Sequence, residues 1–286
     1  MAFPSLPPGS QWKKRVWWLL ILVFFLAAMS IRHQSFSWGV LGLVVLFFSC
    51  ELMDSSLGMG YGTTLTPVLL AFGFHPLDLV PTILVSEFLS GFAASYFHHD
   101  SGNVDFRRGS KDLRVGLMLA VGSVIGVAVG VNLALEIPTK LLKLVIGCII
   151  LLAGLFIWIQ LEHTFKFTRW KMFLLATVAS FNKALSGGGY GPIMTSGQIR
   201  GGIRGKASVA ITSFAEGFTC LIGVILFLVR SRSIQLDLLV PVLAGALLSV
   251  PFSVEIVKQV QERRLKELIA ALTVLMGAFT ILKVFV

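Results

Sequence analysis

Long apolar runs separated by short charged loops cover almost the whole chain. Stretches without any charged residue approach or reach the roughly 17–25 residues that cross a bilayer as a helix, and they occupy residues 16–31, 115–135, 144–161 and 238–254. Hydrophobic residues make up 56% of the chain, charged residues make up 13%, and the mean hydropathy is +0.86. These values exclude a soluble domain, so the pattern predicts an all-α polytopic membrane protein.

The sequence contains an internal repeat. With a shift of 129 positions, GMGYGTTLTPVLLAFG, which begins at Gly58, lies over GGGYGPIMTSGQIRGG, which begins at Gly187. The same shift lays Glu87 over Glu216. Two glycine-rich interruptions and an intramembrane carboxyl group in one frame indicate a duplication. We call residues related by this shift repeat mates, and we call the two glycine-rich interruptions the first break and the second break.

The duplication defines the predicted organisation of the chain. Repeat 1 covers residues 37–161 and repeat 2 covers residues 162–286, while residues 1–36 form an N-terminal tail and an extra transmembrane helix. Each repeat consists of one helix up to its break, a short helix and three longer helices. The short helices are predicted to begin at Thr63 and, with proline at the favoured first position, at Pro192.

Basic residues set the predicted orientation. The net charge is +10, but Lys and Arg lie in short loops, where they fix topology rather than bind nucleic acid. A cytoplasmic N-terminus places 17 of these basic residues inside and six outside, and leaves Lys183 within the membrane. The repeats then have inverted topologies in the cytoplasmic membrane. The segments around each break either cross the membrane twice or form a re-entrant hairpin.

The two breaks form the candidate binding site. Interrupted helices in inverted repeats are typical of secondary transporters, whose substrate lies at the midplane. The free N–H groups of two helix starts favour a small anion. The alternative is that the glycines permit close helix packing, which we predict for Gly122, Gly126 and Gly130. The predicted substrate-binding residues are Gly58, Gly60, Tyr61, Gly62, Thr63, Asn182, Lys183, Ser186, Gly187, Gly188, Gly189, Tyr190 and Gly191.

Charged residues within the apolar segments are functional candidates because each is costly in hydrocarbon. Lys183 is the expected counter-charge for the anion; alternatively it snorkels or pairs with an acid such as its repeat mate Asp54. Glu87 and Glu216 either form structural hydrogen bonds or carry protons during transport. Glu51 and Asp54 bind a cation or line the entrance. Coupling to protons or sodium is therefore expected to involve these four acids.

Other chemistries find little support in the sequence. Cys50, Cys148 and Cys220 form no paired motif, and we predict neither a metal site nor a cofactor. No histidine follows Ser186 in a later span, so the order of an intramembrane serine protease dyad is absent. We therefore predict that the chain is not an enzyme. An anion channel of the same fold, a membrane-embedded enzyme and a scaffold are the alternatives to a secondary transporter.

The motifs LGMGYGTTLTP and LSGGGYGPI, each followed by a span with a central acid, resemble those of the TauE/SafE sulfite exporter family. The resemblance covers roughly residues 38–286. It implies transport of sulfite, organosulfonates or related sulfur-containing anions without ATP. Met59 in the first break corresponds to Gly188 in the second, and Thr63 corresponds to Pro192, so the two half-sites are not expected to contribute equally.

Overall fold

The described part of the chain consists of helices joined by turns and short loops. The structure, a computed structural model, describes residues 16–22, 25, 38–160, 168–230, 234–256 and 262–285, and these residues include no β-strand. Residues 16–22 are helical and belong to the predicted extra N-terminal helix, about half of which lies outside the described residues. The other helices are α1 (Trp38–Leu57), α2 (Tyr61–Ala71), α3 (Pro76–Asp100), α4 (Lys111–Glu136), α5 (Thr139–Gln160), α6 (Arg169–Ser186), α7 (Tyr190–Arg200), α8 (Gly205–Val229), α9 (Leu236–Ile256) and α10 (Glu262–Phe285).

Six of the described helices are long and apolar enough to cross a membrane. They are α1, α3, α4, α5, α8 and α9. Their outward surfaces carry large apolar side chains such as Val121, Leu152 and Ile225, which suit contact with lipid. These findings confirm the prediction of an all-α integral membrane protein.

Each break separates a longer helix from a short one. The short helices α2 and α7 begin at Tyr61 and Tyr190, so the predicted starts at Thr63 and Pro192 were wrong by two residues. The cause lies in Gly60 and Gly189, whose φ angles of 122° and 84° end the non-helical stretch. Pro192 is then the third residue of α7, where its missing N–H removes no intrahelical hydrogen bond.

The most extensive helix contacts form a pattern that is unchanged when the first five helices exchange places with the last five. Helix α1 packs against α9, as α4 packs against α6, and α3 against α9 corresponds to α8 against α4. The exchange turns α3 into α8 and α5 into α10, so the contacts α3–α8 and α5–α10 are each their own counterpart. On α4, Cβ atoms at Gly122, Gly126 and Gly130 would collide with the backbone of α6, which confirms the predicted close packing.

The loops lie at two ends of the helix bundle. Arg169, the first residue of α6, and Gly201, the residue after α7, line one cavity together with Lys111 and Arg204, and we call this the basic end. At the opposite end, Lys283 donates a hydrogen bond to the carbonyl oxygen of Ala71, the last residue of α2. Helices α6 and α7 therefore start and finish at the basic end, with the second break at their inner tip.

Candidate functional site

The two breaks contact each other through their backbones. A Cβ atom on Gly188 would lie 2.5 Å from the carbonyl carbon of Gly62 and 2.5 Å from the amide nitrogen of Thr63. A Cβ atom on Gly62 would fall on the carbonyl group of Gly187, and one on Gly191 would fall on that of Gly58. Only glycine leaves room for this approach, so the repeated glycines join the two halves of the chain.

The contact between the breaks is reciprocal. The Thr195 hydroxyl donates to the carbonyl oxygen of Gly58 at 3.0 Å. Its repeat mate Thr66 lies against Gly187, the repeat mate of Gly58. Thr195 and Thr66 were not among the predicted site residues, although both share the repeat frame that identified the glycines.

Some predicted residues support a break without reaching the contact between the breaks. A Cβ atom on Gly189 would lie 3.7 Å from Cβ of Asn182, which is half-buried, and one on Gly60 would lie 3.6 Å from Cβ of Met53. Ser186 donates to the carbonyl oxygen of Asn182 at 2.8 Å, and its hydroxyl accepts from the Gly188 amide at 3.1 Å. These contacts hold the second break in shape.

Lys183 is buried and ion-paired with two glutamates. Its side chain is 1% exposed, and its Nζ contacts Oε1 of Glu216 at 2.8 Å and Oε2 of Glu87. The interpretation of Lys183 as a snorkelling residue is therefore wrong, and the alternative of an ion pair is confirmed with different partners from the one expected. The three residues lie on α6, α3 and α8, so this ion-pair cluster connects the first half of the chain with the second.

Asp54, the repeat mate of Lys183, caps the first break instead of pairing with that lysine. Its Oδ1 accepts from the Tyr61 amide, the first of α2, at 3.3 Å, and its carbonyl oxygen accepts from Gly58. In the second break the Lys183 carbonyl oxygen accepts from Gly187 in the same way. The backbone of the two breaks is thus alike, whereas the side chain beside it is acidic in one and basic in the other.

Polar side chains hold the two tyrosines and the acids in place. The hydroxyl of Tyr61 is hydrogen-bonded to Ser86 at 2.8 Å, and that of Tyr190 is hydrogen-bonded to Ser123 at 3.1 Å. Ser55 donates to Oε1 of Glu51, and the Cys220 thiol lies 3.7 Å from Oε2 of Glu87. Sequence reasoning missed Ser55, Ser86, Ser123 and Cys220, because single small polar residues in apolar helices are ordinary.

The site contains more acids than bases. Four carboxyl groups, of Glu51, Asp54, Glu87 and Glu216, are buried around the single ammonium group of Lys183. One oxygen of Glu51 and one of Glu87 have no hydrogen-bond partner among the described residues, and neither does the Thr63 hydroxyl. Because buried charge is costly unless it is compensated, this cluster is suited to taking up protons.

Comparison with known proteins agrees with this architecture. The family model described as Sulfite exporter TauE/SafE matches residues 41–280. The chain is 25% identical over 244 residues to a Bacillus subtilis (strain 168) protein described as "Probable membrane transporter protein YtnM", and the match covers 81% of this chain and 79% of that protein. No solved structure matches the chain. With most of its length matched by the family model, the chain belongs to the TauE/SafE sulfite exporter family, a family of membrane transporters.

Proposed function

We propose that the protein is a secondary transporter of a sulfur-containing anion, such as sulfite or an organosulfonate, across the cytoplasmic membrane. The observation that carries this proposal is the buried Lys183, which lies beside the contact between the breaks and bridges Glu87 and Glu216. An ammonium group in this position is the natural partner of an anion inside a membrane. The family match supports transport, and the sulfur-containing anion is the expectation from the family's description.

The two repeats, residues 37–161 and 162–286, form inverted units that meet at their breaks. The exchange symmetry of helix packing and the reciprocal contacts between the breaks support this arrangement. Helices α6 and α7 form a re-entrant hairpin from the basic end, and α1 and α2 form its counterpart from the opposite end. Placing the basic end in the cytoplasm follows the positive-inside rule and gives a cytoplasmic N-terminus.

The second break contributes more to anion binding than the first. The carboxylate of Asp54 already accepts a hydrogen bond from the first amide of α2, so it opposes an anion at that helix start. Helix α7 follows Gly189, which provides no side-chain cap, and Lys183 occupies the position that corresponds to Asp54. The positive end of α7 and the ammonium group therefore act on the same side of the site.

Glu87 and Glu216 couple anion binding to proton binding. Both carboxylates already contact Lys183, so an anion must replace at least one of them. A displaced carboxylate would be left as an unpaired charge in a buried site, which is costly unless it takes up a proton. Anion binding is therefore accompanied by proton uptake, and the apparent affinity for the anion rises as pH falls.

A thermal-shift screen of the purified protein tests the substrate class. The probes are sulfite, sulfate, thiosulfate, taurine, sulfoacetate and formate, each at two pH values. A ligand at about 100 times its Kd stabilises the folded protein by roughly 2.7 kcal/mol if it binds the folded form alone. Stabilisation by sulfur-containing anions that increases at lower pH is the expected result. A response to cations or neutral solutes without any response to anions would overturn the proposal.

Replacing a glutamate with glutamine tests the coupling. In Glu87→Gln and Glu216→Gln one carboxylate remains on Lys183, so the fold is retained while one competitor of the anion is removed. Both variants should bind the anion more tightly at high pH and should lose transport driven by a pH gradient in liposomes. Glu136→Gln, at the exposed end of α4, is the control and should behave as the wild type. Unchanged pH dependence in both site variants would reject proton coupling and leave sodium to be tested with a sodium gradient.

A further inference from the structure

A cavity of about 510 Å³ lies at the basic end and is separate from the ion-pair cluster. Four positively charged side chains line it: Lys111 and Arg114 from the start of α4, Arg169 from the start of α6, and Arg204 from the residue before α8. Asp112 contributes the cavity's one carboxyl group among the lining residues. The wall is therefore strongly basic.

Carboxylates of the described residues do not compensate these positive charges. Within the described residues, none of the four cations forms a salt bridge, although Arg114 donates to the carbonyl oxygen of Gly109 at 2.7 Å. Asp112 accepts instead from the Asp105 amide at 3.0 Å. Hydrogen bonds from Arg107 hold the pKa of Asp105 below its usual value, so this neighbouring carboxylate is engaged by an arginine outside the cavity.

The inner wall of the cavity is apolar and continues towards the second break. Met172 and Ala207 line the cavity and also belong to the apolar cluster that contains Tyr190, the first residue of α7. Met172 precedes Lys183 by three turns on α6, which corresponds to about 16 Å along the helix. The cavity thus lies between the ion-pair cluster and the solvent at the basic end. A short path would connect the cavity with the cluster.

Buried polar side chains mark such a path. Gln198, which is fully buried, donates to the Thr212 hydroxyl at 2.7 Å, and its side-chain oxygen has no partner among the described residues. The Thr195 hydroxyl lies 3.1 Å from the Thr212 hydroxyl and donates to the carbonyl oxygen of Gly58, which belongs to the first break. Ile203, which lines the cavity, donates its amide to the Gln198 carbonyl oxygen. The polar groups of Gln198, Thr212 and Thr195 therefore extend from the cavity wall to the first break.

We propose that the basic cavity is a vestibule that captures a small oxyanion and that Gln198, Thr212 and Thr195 line its route to the breaks. This inference rests on the proposed transport function and adds to it the place where the substrate first binds. The oxyanion group comes from a soluble substrate such as a sulfonate. An anionic lipid headgroup has the same chemistry and is distinguished by experiment.

Basic loop residues also fix membrane topology, and that role alone does not explain the cavity. A topology signal requires positive charge near the membrane but no common cavity and no polar path leading inward. A cleft lined by charges of one sign raises the local concentration of oppositely charged substrate, and salt weakens this effect. Salt-dependent capture is therefore the property that separates a vestibule from a topology signal.

The test measures initial rates of sulfite and sulfoacetate uptake in liposomes of neutral phosphatidylcholine, with the basic end facing the substrate. The variants are Arg169→Gln and Arg204→Gln, and the matched control is Lys140→Gln at the opposite end of the bundle. We expect each site variant to raise KM roughly three- to tenfold at about 0.1 M salt and much less at about 1 M salt, where the Debye length falls from about 10 Å to about 3 Å. Maximal rate and the control's KM should be unchanged.

Additional measurements distinguish a vestibule from a lipid site and from failure of the proposed function. Arg169→Lys should restore most of the wild-type KM, because it restores the charge. Gln198→Leu should lower the maximal rate. If the wild type transports anions while Arg169→Gln and Arg204→Gln retain its KM at low salt, the vestibule is rejected and the proposed function stands. If the two variants bind less phosphatidylglycerol, measured by native mass spectrometry, but keep the wild-type KM for the anion, the cavity is a lipid site. The vestibule is again rejected in that case. If no anion is transported by the wild type, the proposed function itself fails.

Discussion

Adding one methyl group at Gly191 tests whether the two breaks contact each other as described. The Cβ atom of Gly191→Ala would lie 3.0 Å from the carbonyl carbon of Gly58 and closer still to its oxygen. Non-bonded carbon atoms prefer separations of about 3.5–4.0 Å. The two breaks would therefore have to separate by at least roughly 0.5 Å, against rigid backbone rather than a flexible side chain.

Gly197 provides a matched control within the same helix. A Cβ atom on Gly197 would meet Leu175 at an ordinary 3.6 Å. Both substitutions place alanine inside α7, so both gain the same helix propensity of up to about 1 kcal/mol. The difference between the two variants contains the cost of overpacking at the break, which is typically about 1–3 kcal/mol, and a smaller local cost of placing a Cβ atom before Pro192.

Thermal unfolding in detergent and uptake in liposomes measure this difference. With roughly 2–4 °C per kcal/mol in domains of comparable size, Gly191→Ala should melt about 2–12 °C below Gly197→Ala. It should also lose transport, whereas Gly197→Ala should retain it. Equal melting temperatures and equal uptake for the two variants would show that the breaks do not touch. The two breaks could then not form one binding site.

Two further predictions concern the buried polar groups. Lys183→Met should lower the free energy of unfolding by about 3–5 kcal/mol because it leaves two glutamates without their cation, and adding Glu87→Gln and Glu216→Gln should recover most of this loss without restoring anion binding. A wild-type melting temperature for Lys183→Met alone would contradict the ion pairs. Tyr190→Phe should cost about 0.5–1.5 kcal/mol through loss of its hydrogen bond to Ser123, and an unchanged melting temperature would argue against that bond.

Much of the architecture could be predicted from the sequence because it follows from local patterns. Charge-free stretches predicted the membrane helices α4, α5 and α9, and the shared frame of Gly58 with Gly187 located the two breaks. The helix starts were misplaced by two residues because the prediction followed Pro192, whereas the backbone of Gly60 and Gly189 decides where each helix begins. A proline is tolerated over the whole first turn, so it marks a start imprecisely.

The partners of Lys183 could not be deduced in the same way. The repeat frame related Lys183 to Asp54, but repeat mates occupy corresponding positions in two halves and need not touch. Its contacts with Glu87 and Glu216 depend on how three helices pack, which local sequence does not encode. The basic cavity was missed for the same reason, since Lys111, Arg169 and Arg204 come from three loops that each looked like an ordinary topology signal.

The opposite charges of Asp54 and Lys183 have a consequence for alternating access. In a transporter built from two identical inverted halves, the forms open to either side are related by exchanging the halves and have equal energy. An acid and a base at mated positions remove that equality, because the exchange places each charge in the other's surroundings. With the inverted arrangement proposed above, the unloaded protein is expected to have a preferred resting side, even though the backbone of its two breaks is alike.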